Sequence, residues 1–203
     1  TLNEDGGVNA FTIIISGADA TSSTAAQLNT INEAVSASVV INLTNVTALA
    51  GSSLSDLGTL ATAITNNEFT NATGLTTIAV TDTTVDATAL AARIDSYDSI
   101  NGGSTTGMTL ASGATIEVEA GEIAEMLADE TAGRLTISDQ LITVNGAITV
   151  DNSNLLAATT SGKVTATIDT SETVTELATL SADGGANDLT IAIRSDDATS
   201  STA

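Results

Sequence analysis

Short segments rich in β-branched residues recur along the chain and alternate with stretches of helical spacing. Isoleucine, valine and threonine dominate these segments, as they do in β-strands. Each segment therefore predicts one strand. The seven predicted strands are FTIII (11–15), VVINL (39–43), TTIAV (76–80), ATIEV (114–118), AITV (147–150), VTATI (164–168) and LTIAI (189–193).

Apolar residues three, four and seven positions apart follow most of the predicted strands and indicate amphipathic helices. Between residues 23 and 35, for example, Leu28, Ile31 and Val35 share one face. Serine, threonine and aspartate before these stretches are suitable helix N-caps. The segment DNSNLLAATTSG (151–162) has room for only a turn or two of helix. The apolar positions of the other stretches are Leu54, Leu57, Leu60 and Ile64, then Leu90, Ile94 and Tyr97, then Ile123, Met126 and Leu127, and finally Val174, Leu177 and Leu180.

The repeating unit is a strand, a turn, a helix and a loop, about 30 residues in all. A helix between two strands favours parallel pairing with a right-handed crossover. We therefore predict an α/β solenoid, in which these strand-turn-helix units form a parallel sheet with helices on one side. The alternative is a pair of doubly wound α/β domains, but no glycine-rich phosphate loop follows any predicted strand. The six units are 12–38, 39–74, 75–107, 108–134, 135–162 and 163–189.

A second, longer repeat relates the first residues of the chain to the last. The heptapeptide DATSSTA occupies residues 19–25 and again residues 197–203, at an offset of 178 positions. At this offset, residues 1–25 and 179–203 are identical at 16 positions, which is typical of tandem arrays. The domain organisation predicted from this repeat is the end of a preceding unit in residues 1–11, one 178-residue period in residues 12–189, and the start of the next period in residues 190–203.

The two repeated segments are expected to share one conformation, because they are the same element one period apart. Phe11 and Leu189 would then occupy equivalent core positions, as would Ile13 and Ile191, and Ile15 and Ile193. We expect the strand at 190–193 to lie parallel beside 164–168 and to leave one edge open. The predicted partners are therefore neighbouring repeats of the same chain, or other copies that associate end to end.

Composition excludes several classes of function. The chain has no cysteine and no histidine, so disulfides, thiolate metal sites and the commonest general base are absent. Its 25 acidic and 4 basic residues give a formal net charge of −21. Nucleic acid is not expected as a partner, because phosphate binding requires clusters of lysine and arginine. No apolar run approaches the roughly 18 to 20 residues of a membrane helix, so no membrane insertion is expected.

Acidic and hydroxyl residues recur directly after the predicted strands, and two interpretations stay open. Serine, threonine and aspartate satisfy free backbone N–H groups in turns and helix caps. A row of carboxylates also provides the oxygen ligands that Ca²⁺ prefers. Calcium is the one cofactor that the composition favours. Its candidate ligands belong to the turns DGGVN (5–9) and DGGAND (183–188) and to the acidic pair after the last strand, and they are Asp5, Asp183, Asp188, Asp196 and Asp197.

Catalysis is not expected, and carbohydrate binding is a weaker alternative. Pairs of carboxylates can hydrolyse glycosidic bonds, but with 25 acidic residues such pairs arise by chance. Phe11, Phe69 and Tyr97 are the only aromatic residues, a poor supply of platforms for stacking sugar rings. A glycan is accordingly the partner of an alternative interpretation, in which the solenoid binds carbohydrate.

Two segments resemble a known class of repeats. GKVTATIDTSETVTELATLSA (162–182) and AITVDNSNLLAATTSG (147–162) are similar to the Ala/Thr/Ser-rich repeats of giant secreted cell-surface proteins of marine cyanobacteria, including surface-layer, motility-associated and adhesin-like proteins. The resemblance implies secretion, a very long chain, calcium dependence and no catalysis. A structural segment at the cell surface, such as a spacer, surface layer, filament or adhesin stalk, is the function expected. A phage virion fibre or appendage protein is the alternative.

Overall fold

The computed structural model describes residues 12–35, 39–181 and 187–193. In these residues the chain is an α/β protein with seven helices and with twelve strands in three parallel sheets. The helices are α1 (Asp19–Ser22), α2 (Ala25–Ala34), α3 (Leu54–Thr65), α4 (Ala87–Ile100), α5 (Ile123–Thr131), α6 (Val150–Thr159) and α7 (Val174–Leu177). The strands are β1 (Thr12–Ile14), β2 (Val40–Asn42), β3 (Ala48–Ser52), β4 (Phe69–Thr70), β5 (Thr77–Val80), β6 (Thr84–Asp86), β7 (Gly107–Leu110), β8 (Thr115–Glu119), β9 (Leu135–Thr136), β10 (Leu141–Ile148), β11 (Val164–Ile168) and β12 (Asp188–Thr190).

Every strand pairing in the described part of the chain is parallel, as the alternation of strands and helices predicts. Paired residues are 20 to 31 positions apart, which is about the length of one predicted unit. The first sheet has the order β1-β2-β4, the second β3-β5-β7-β9, and the third β12-β11-β10-β8-β6. The prediction of a single sheet is therefore wrong.

Three sheets arise because several of the predicted units contain two strands. Strands β2 and β3 both precede helix α3, and β7 and β8 both precede helix α5. The additional strands carry little β-branched signal: β3 reads ALAGS, and β9 has only two residues. They are extended because they pair with strands in neighbouring stretches of the chain, and periodicity within one segment does not reveal such pairing.

The chain divides into two compact units, and the first holds two of the sheets. Unit 1 comprises Thr1–Asp82, Ala89–Ala111 and Asp129–Thr136, and its described part contains the first and second sheets. Rows of buried apolar residues cross these sheets in register, such as Ile78, Met108 and Leu135. Tyr97 is fully buried and donates its hydroxyl to the Leu57 carbonyl at 3.0 Å, and burial raises its pKa well above the usual range.

Unit 2 comprises Thr83–Thr88, Ser112–Ala128 and Ile137–Ala203, and its described part contains the third sheet. Its core also consists of buried apolar residues that lie in register across adjacent strands. Ile116, Ile142 and Val164 lie side by side on three adjacent strands and are fully buried. Cross-strand contacts between β-branched residues stabilise a sheet by about 0.2–1 kcal/mol per pair. Rows of aliphatic side chains therefore form the core, which in many proteins contains aromatic residues.

Side-chain caps begin several helices, as the sequence predicts. Thr24 and Thr173 each form a reciprocal capping box with the third helical residue, and Ser53 and Thr149 each accept a hydrogen bond from the amide three positions later. The helix of the fifth unit, α6, is ten residues long rather than a turn or two. Thr149 belongs to a predicted strand but acts as the cap of this helix, which runs on through the helix formers Leu155–Ala158.

The last described strand, β12, pairs in parallel with β11: Asp188 lies beside Thr165, Leu189 beside Ala166, and Thr190 beside Thr167. This confirms the predicted neighbour and direction, although the strand begins two residues before Thr190 and ends there. Of the predicted correspondence between 1–25 and 179–203, only 12–15 and 190–193 are described at both positions, and Phe11 lies outside the described residues. The prediction that Ile15 and Ile193 occupy equivalent core positions is wrong for this chain, because Ile15 is 8% exposed and Ile193 is 60% exposed. None of the described helices has the length and apolar character needed to cross a membrane.

Candidate functional site

The predicted calcium ligands can be placed at one position only. Asp5, Asp183, Asp196 and Asp197 lie outside the described residues. Asp188 begins strand β12, and 69% of its side chain is exposed. Its carboxylate lies 3.8 Å from the Lys163 ammonium group, so its described charged neighbour is a cation. The described residues contain no group of three or more histidine, cysteine or acidic side chains able to hold a metal ion.

Polar residues from one stretch of chain cap the helix of the preceding stretch. The Ser52 Oγ accepts a hydrogen bond from the Ala25 amide at 2.9 Å, 27 positions earlier. Asp82 Oδ2 accepts one from the Leu54 amide at 2.8 Å, 28 positions earlier. Ala25 and Leu54 are the first residues of α2 and α3. We call these hydrogen bonds the inter-coil caps, where a coil is one stretch of chain from a strand through its following helix.

The same arrangement occurs in unit 2. Glu172 Oε1 accepts a hydrogen bond from the amide of Val150, the first residue of α6, at 3.4 Å. At α4 the contact is between side chains instead: the hydroxyl of Thr88, in the first turn of the helix, donates to Glu122 Oε1 at 2.6 Å. Free N–H groups and the helix dipole both favour negative charge at helix N-termini. The inter-coil caps therefore fasten successive stretches of chain to one another through polar groups as well as through strands.

Two further acidic residues accept hydrogen bonds, Asp169 within a turn and Asp139 from a residue 27 positions away. The Ser171 amide donates to Asp169 Oδ1 at 2.7 Å, and this bond lowers the pKa of Asp169. The Ser112 hydroxyl donates to Asp139 Oδ2, and it is the main cause of the lowered pKa of Asp139. Of the acids that follow predicted strands, Asp82 thus acts as a helix cap and Asp169 as a turn residue.

Among the described residues, the densest charged cluster surrounds Arg134, which the sequence analysis did not single out. Its guanidinium lies 2.5 Å from Asp129 Oδ1, 3.5 Å from Asp98 Oδ2 and 3.9 Å from Asp95 Oδ1. The Asp129 side chain is only 5% exposed, so its charge depends on this partner. Asp98 also accepts the Thr106 amide at 3.0 Å. The cluster holds the end of α5 and the start of β9 against α4, because its members come from those three elements and their flanks.

An open depression of about 760 Å³ in unit 1 is a candidate small-molecule site among the described residues. Hydroxyl and amide groups line it at the ends of α3 and α4 and along residues 66–73, with the Arg93 guanidinium among them. Phe69 also lines it but is only 2% exposed and so offers no ring face for a sugar. The depression provides hydrogen bonds and one positive charge without a stacking platform.

The comparisons with protein-family models, curated proteins and solved structures yield no match to this chain.

Neither the inter-coil caps nor the Arg134 cluster can be read from the sequence. The capping serine or carboxylate lies 22 to 28 positions after the first residue of three helices, but serine, aspartate and glutamate are common along the chain, so this spacing does not single out the capping residues. Arg134 lies 36 and 39 positions from Asp98 and Asp95, and no sequence pattern relates them. Only the packing of three separate elements brings these charges together.

Proposed function

We propose that this chain is a non-catalytic structural segment of a very long, repetitive extracellular surface protein, in which successive coils stack as an α/β solenoid. It would act as a spacer, surface layer, filament or adhesin stalk. The observation that carries the proposal is the pairing of parallel strands about one unit apart, combined with the 25-residue segment that recurs in the sequence at an offset of 178 positions. An array built in this way gains length by repetition.

The contacts between stretches support stacking. Strands, inter-coil caps and buried amides all join residues separated by about one unit. The Asn101 side chain, for example, donates to the Leu75 carbonyl at 2.9 Å, 26 positions away, and is buried. Each stretch therefore depends chiefly on its neighbours in sequence, which is the energetic character of repeat proteins.

The charge also fits an extracellular array. A net charge of −21 keeps copies of a chain apart at low ionic strength, and dissolved cations reduce that repulsion. Calcium bound at the acidic turns would additionally stabilise the array, as the resemblance to secreted surface repeats implies. Cysteine-free chains need no oxidising compartment in order to fold.

Small-angle X-ray scattering of one, two and three consecutive periods tests the proposed architecture. We expect each added period to increase the maximum dimension by the same amount while the cross-section stays constant. A three-period chain that folds into a compact particle of increased cross-section would overturn the proposal.

Location is tested separately in the organism that carries the gene. Protease treatment of intact cells should remove the protein from the cell surface while cytosolic markers remain. Recovery with purified virions instead would favour the appendage alternative. Glycan binding that Arg93→Ala abolishes would favour carbohydrate binding at the depression in unit 1.

A further inference from the structure

The repeated segment of the sequence is seen in the structure with a different neighbour at each of its two positions. Residues 190–193 correspond to residues 12–15 at the offset of 178, with Thr12, Ile13 and Ile15 conserved as Thr190, Ile191 and Ile193. In the first position the segment forms β1 and pairs with β2. In the second, Thr190 ends β12 and pairs with Thr167 of β11, and residues 191–193 follow the end of that strand. Each position therefore displays one half of the surroundings that the segment has in an array.

We infer that, where one period follows another, this segment forms a strand between β11 of the first period and β2 of the second. The third sheet of one period thereby continues into the first sheet of the next. Among the described strands β12 lies at the edge of the third sheet, and the occupant inferred for this edge is a named element, the β2 strand of the following period. This inference rests on the proposed function, because it assumes that periods follow one another in tandem.

The registers of the two sheets agree with this junction. Thr190 pairs with Thr167 in the third sheet, so one further step places Ile191 beside Ile168. Ile13, its equivalent, pairs with Ile41, which in turn pairs with Phe69. Ile168, Ile41 and Phe69 are all at most 2% exposed. If the register of either pairing were shifted by one residue, buried positions of one strand would lie beside exposed positions of the next. The agreement between the two registers is therefore a separate check on the junction.

The exposure of the two copies differs in the direction that the junction requires. Ile15 is 8% exposed, whereas its equivalent Ile193 is 60% exposed. The Ile15 amide donates to the Asn42 carbonyl at 3.3 Å, and its carbonyl accepts the Asn45 side chain at 3.4 Å. Both partners belong to the stretch that follows β1. A following period would supply the same partners to Ile193 and bury it.

Hydrogen exchange tests the junction in a chain that contains it. A fusion of residues 26–203 directly after Ala203 restores the partners of the repeated segment. We expect the amides of residues 191–193 to exchange at least about tenfold more slowly in the fusion than in the 203-residue chain. Unchanged exchange at these amides would overturn the inference.

A pair of substitutions gives a second readout. Ile193→Asp and Leu155→Asp both replace exposed residues, 60% and 53% exposed, and both should leave the 203-residue chain unchanged. In the fusion, Ile193→Asp should abolish the gain in protection, whereas Leu155→Asp on α6 should leave it intact. Equal behaviour of the two variants in the fusion would contradict the junction.

Scattering from the same fusion separates this inference from the proposed function. A fusion that lengthens at constant cross-section, yet shows no added protection at 191–193, would retain the structural role and refute the junction. A compact fusion would refute the structural role itself. Lengthening together with added protection supports both.

Discussion

Gly162 lies where two backbone stretches of unit 2 come so close that a side chain has no room. A Cβ atom at this position would lie 2.2 Å from the Gln140 carbonyl oxygen, 2.6 Å from the Gln140 carbonyl carbon and 2.8 Å from the Asp139 oxygen. Hydrogen bonds fasten the same two stretches: the Thr160 hydroxyl donates to the Gln140 carbonyl at 2.6 Å, and the Ser161 amide to the Ser138 carbonyl at 2.8 Å. We therefore expect Gly162→Ala to destabilise unit 2.

The magnitude follows from what has to move. Relieving the contact requires the two backbone stretches to separate by about 1 Å, because neither stretch can rotate away as a side chain would. Overpacking of this kind costs about 1–3 kcal/mol. Lengthening the adjacent hydrogen bonds adds about 1 kcal/mol. A total loss of about 3 kcal/mol corresponds to a fall in the melting midpoint of about 6–12 °C for a chain of this length.

Gly121 supplies the matched control in the same unit, because a Cβ atom there would meet no atom within 4 Å. Gly121→Ala should leave the midpoint unchanged or raise it slightly. Alanine lowers the conformational entropy of the unfolded chain, which stabilises the fold by about 0.4–1 kcal/mol. Thermal unfolding followed by circular dichroism compares the two variants. The reasoning is refuted if Gly162→Ala melts within about 2 °C of Gly121→Ala, which is less than 1 kcal/mol on the same scale.

Three further predictions concern charge. Arg134→Met should destabilise unit 1 by about 2–3 kcal/mol in urea titrations. The loss should be smaller than for a fully buried ion pair, because the Arg134 side chain is 30% exposed. Arg93→Met is the control and should have little effect, because Arg93 forms no ion pair among the described residues. Ser112→Ala should raise the pKa of Asp139 toward its ordinary value of 3.8 in an NMR titration. Because the pKa of Asp139 is depressed in the folded chain, its hydrogen bond with Ser112 stabilises the fold above pH 3.8, and this contribution disappears as the pH falls through the folded pKa. The free energy of unfolding of Ser112→Ala should therefore change less with pH in that window. Ca²⁺ should raise the free energy of unfolding by about 2.7 kcal/mol at a hundredfold excess over Kd, and so raise the melting midpoint more than Mg²⁺ does at matched ionic strength. Equal shifts of the midpoint would indicate general screening instead.

Local pattern predicts the elements that form within one stretch of chain. The β-branched segments at 39–43, 76–80 and 164–168 are strands, and the apolar spacing at 54–64 is a helix with Ser53 as its cap. These features depend on residues a few positions apart, so periodicity and capping chemistry reveal them. Parallel pairing also followed from the sequence, because a helix separates most successive strands.

The sequence by itself therefore determined the α/β class, most of the helices, the parallel direction of pairing and the neighbour of β12. Only the tertiary structure decided that strands such as β3 and β9 exist, that they fall into three sheets, and that Asp82 and Glu172 cap helices formed by earlier residues. The physical reason is distance along the chain. A two-residue strand or a carboxylate acquires its role from a partner more than twenty positions away, and no local pattern specifies which partner packing will bring to it.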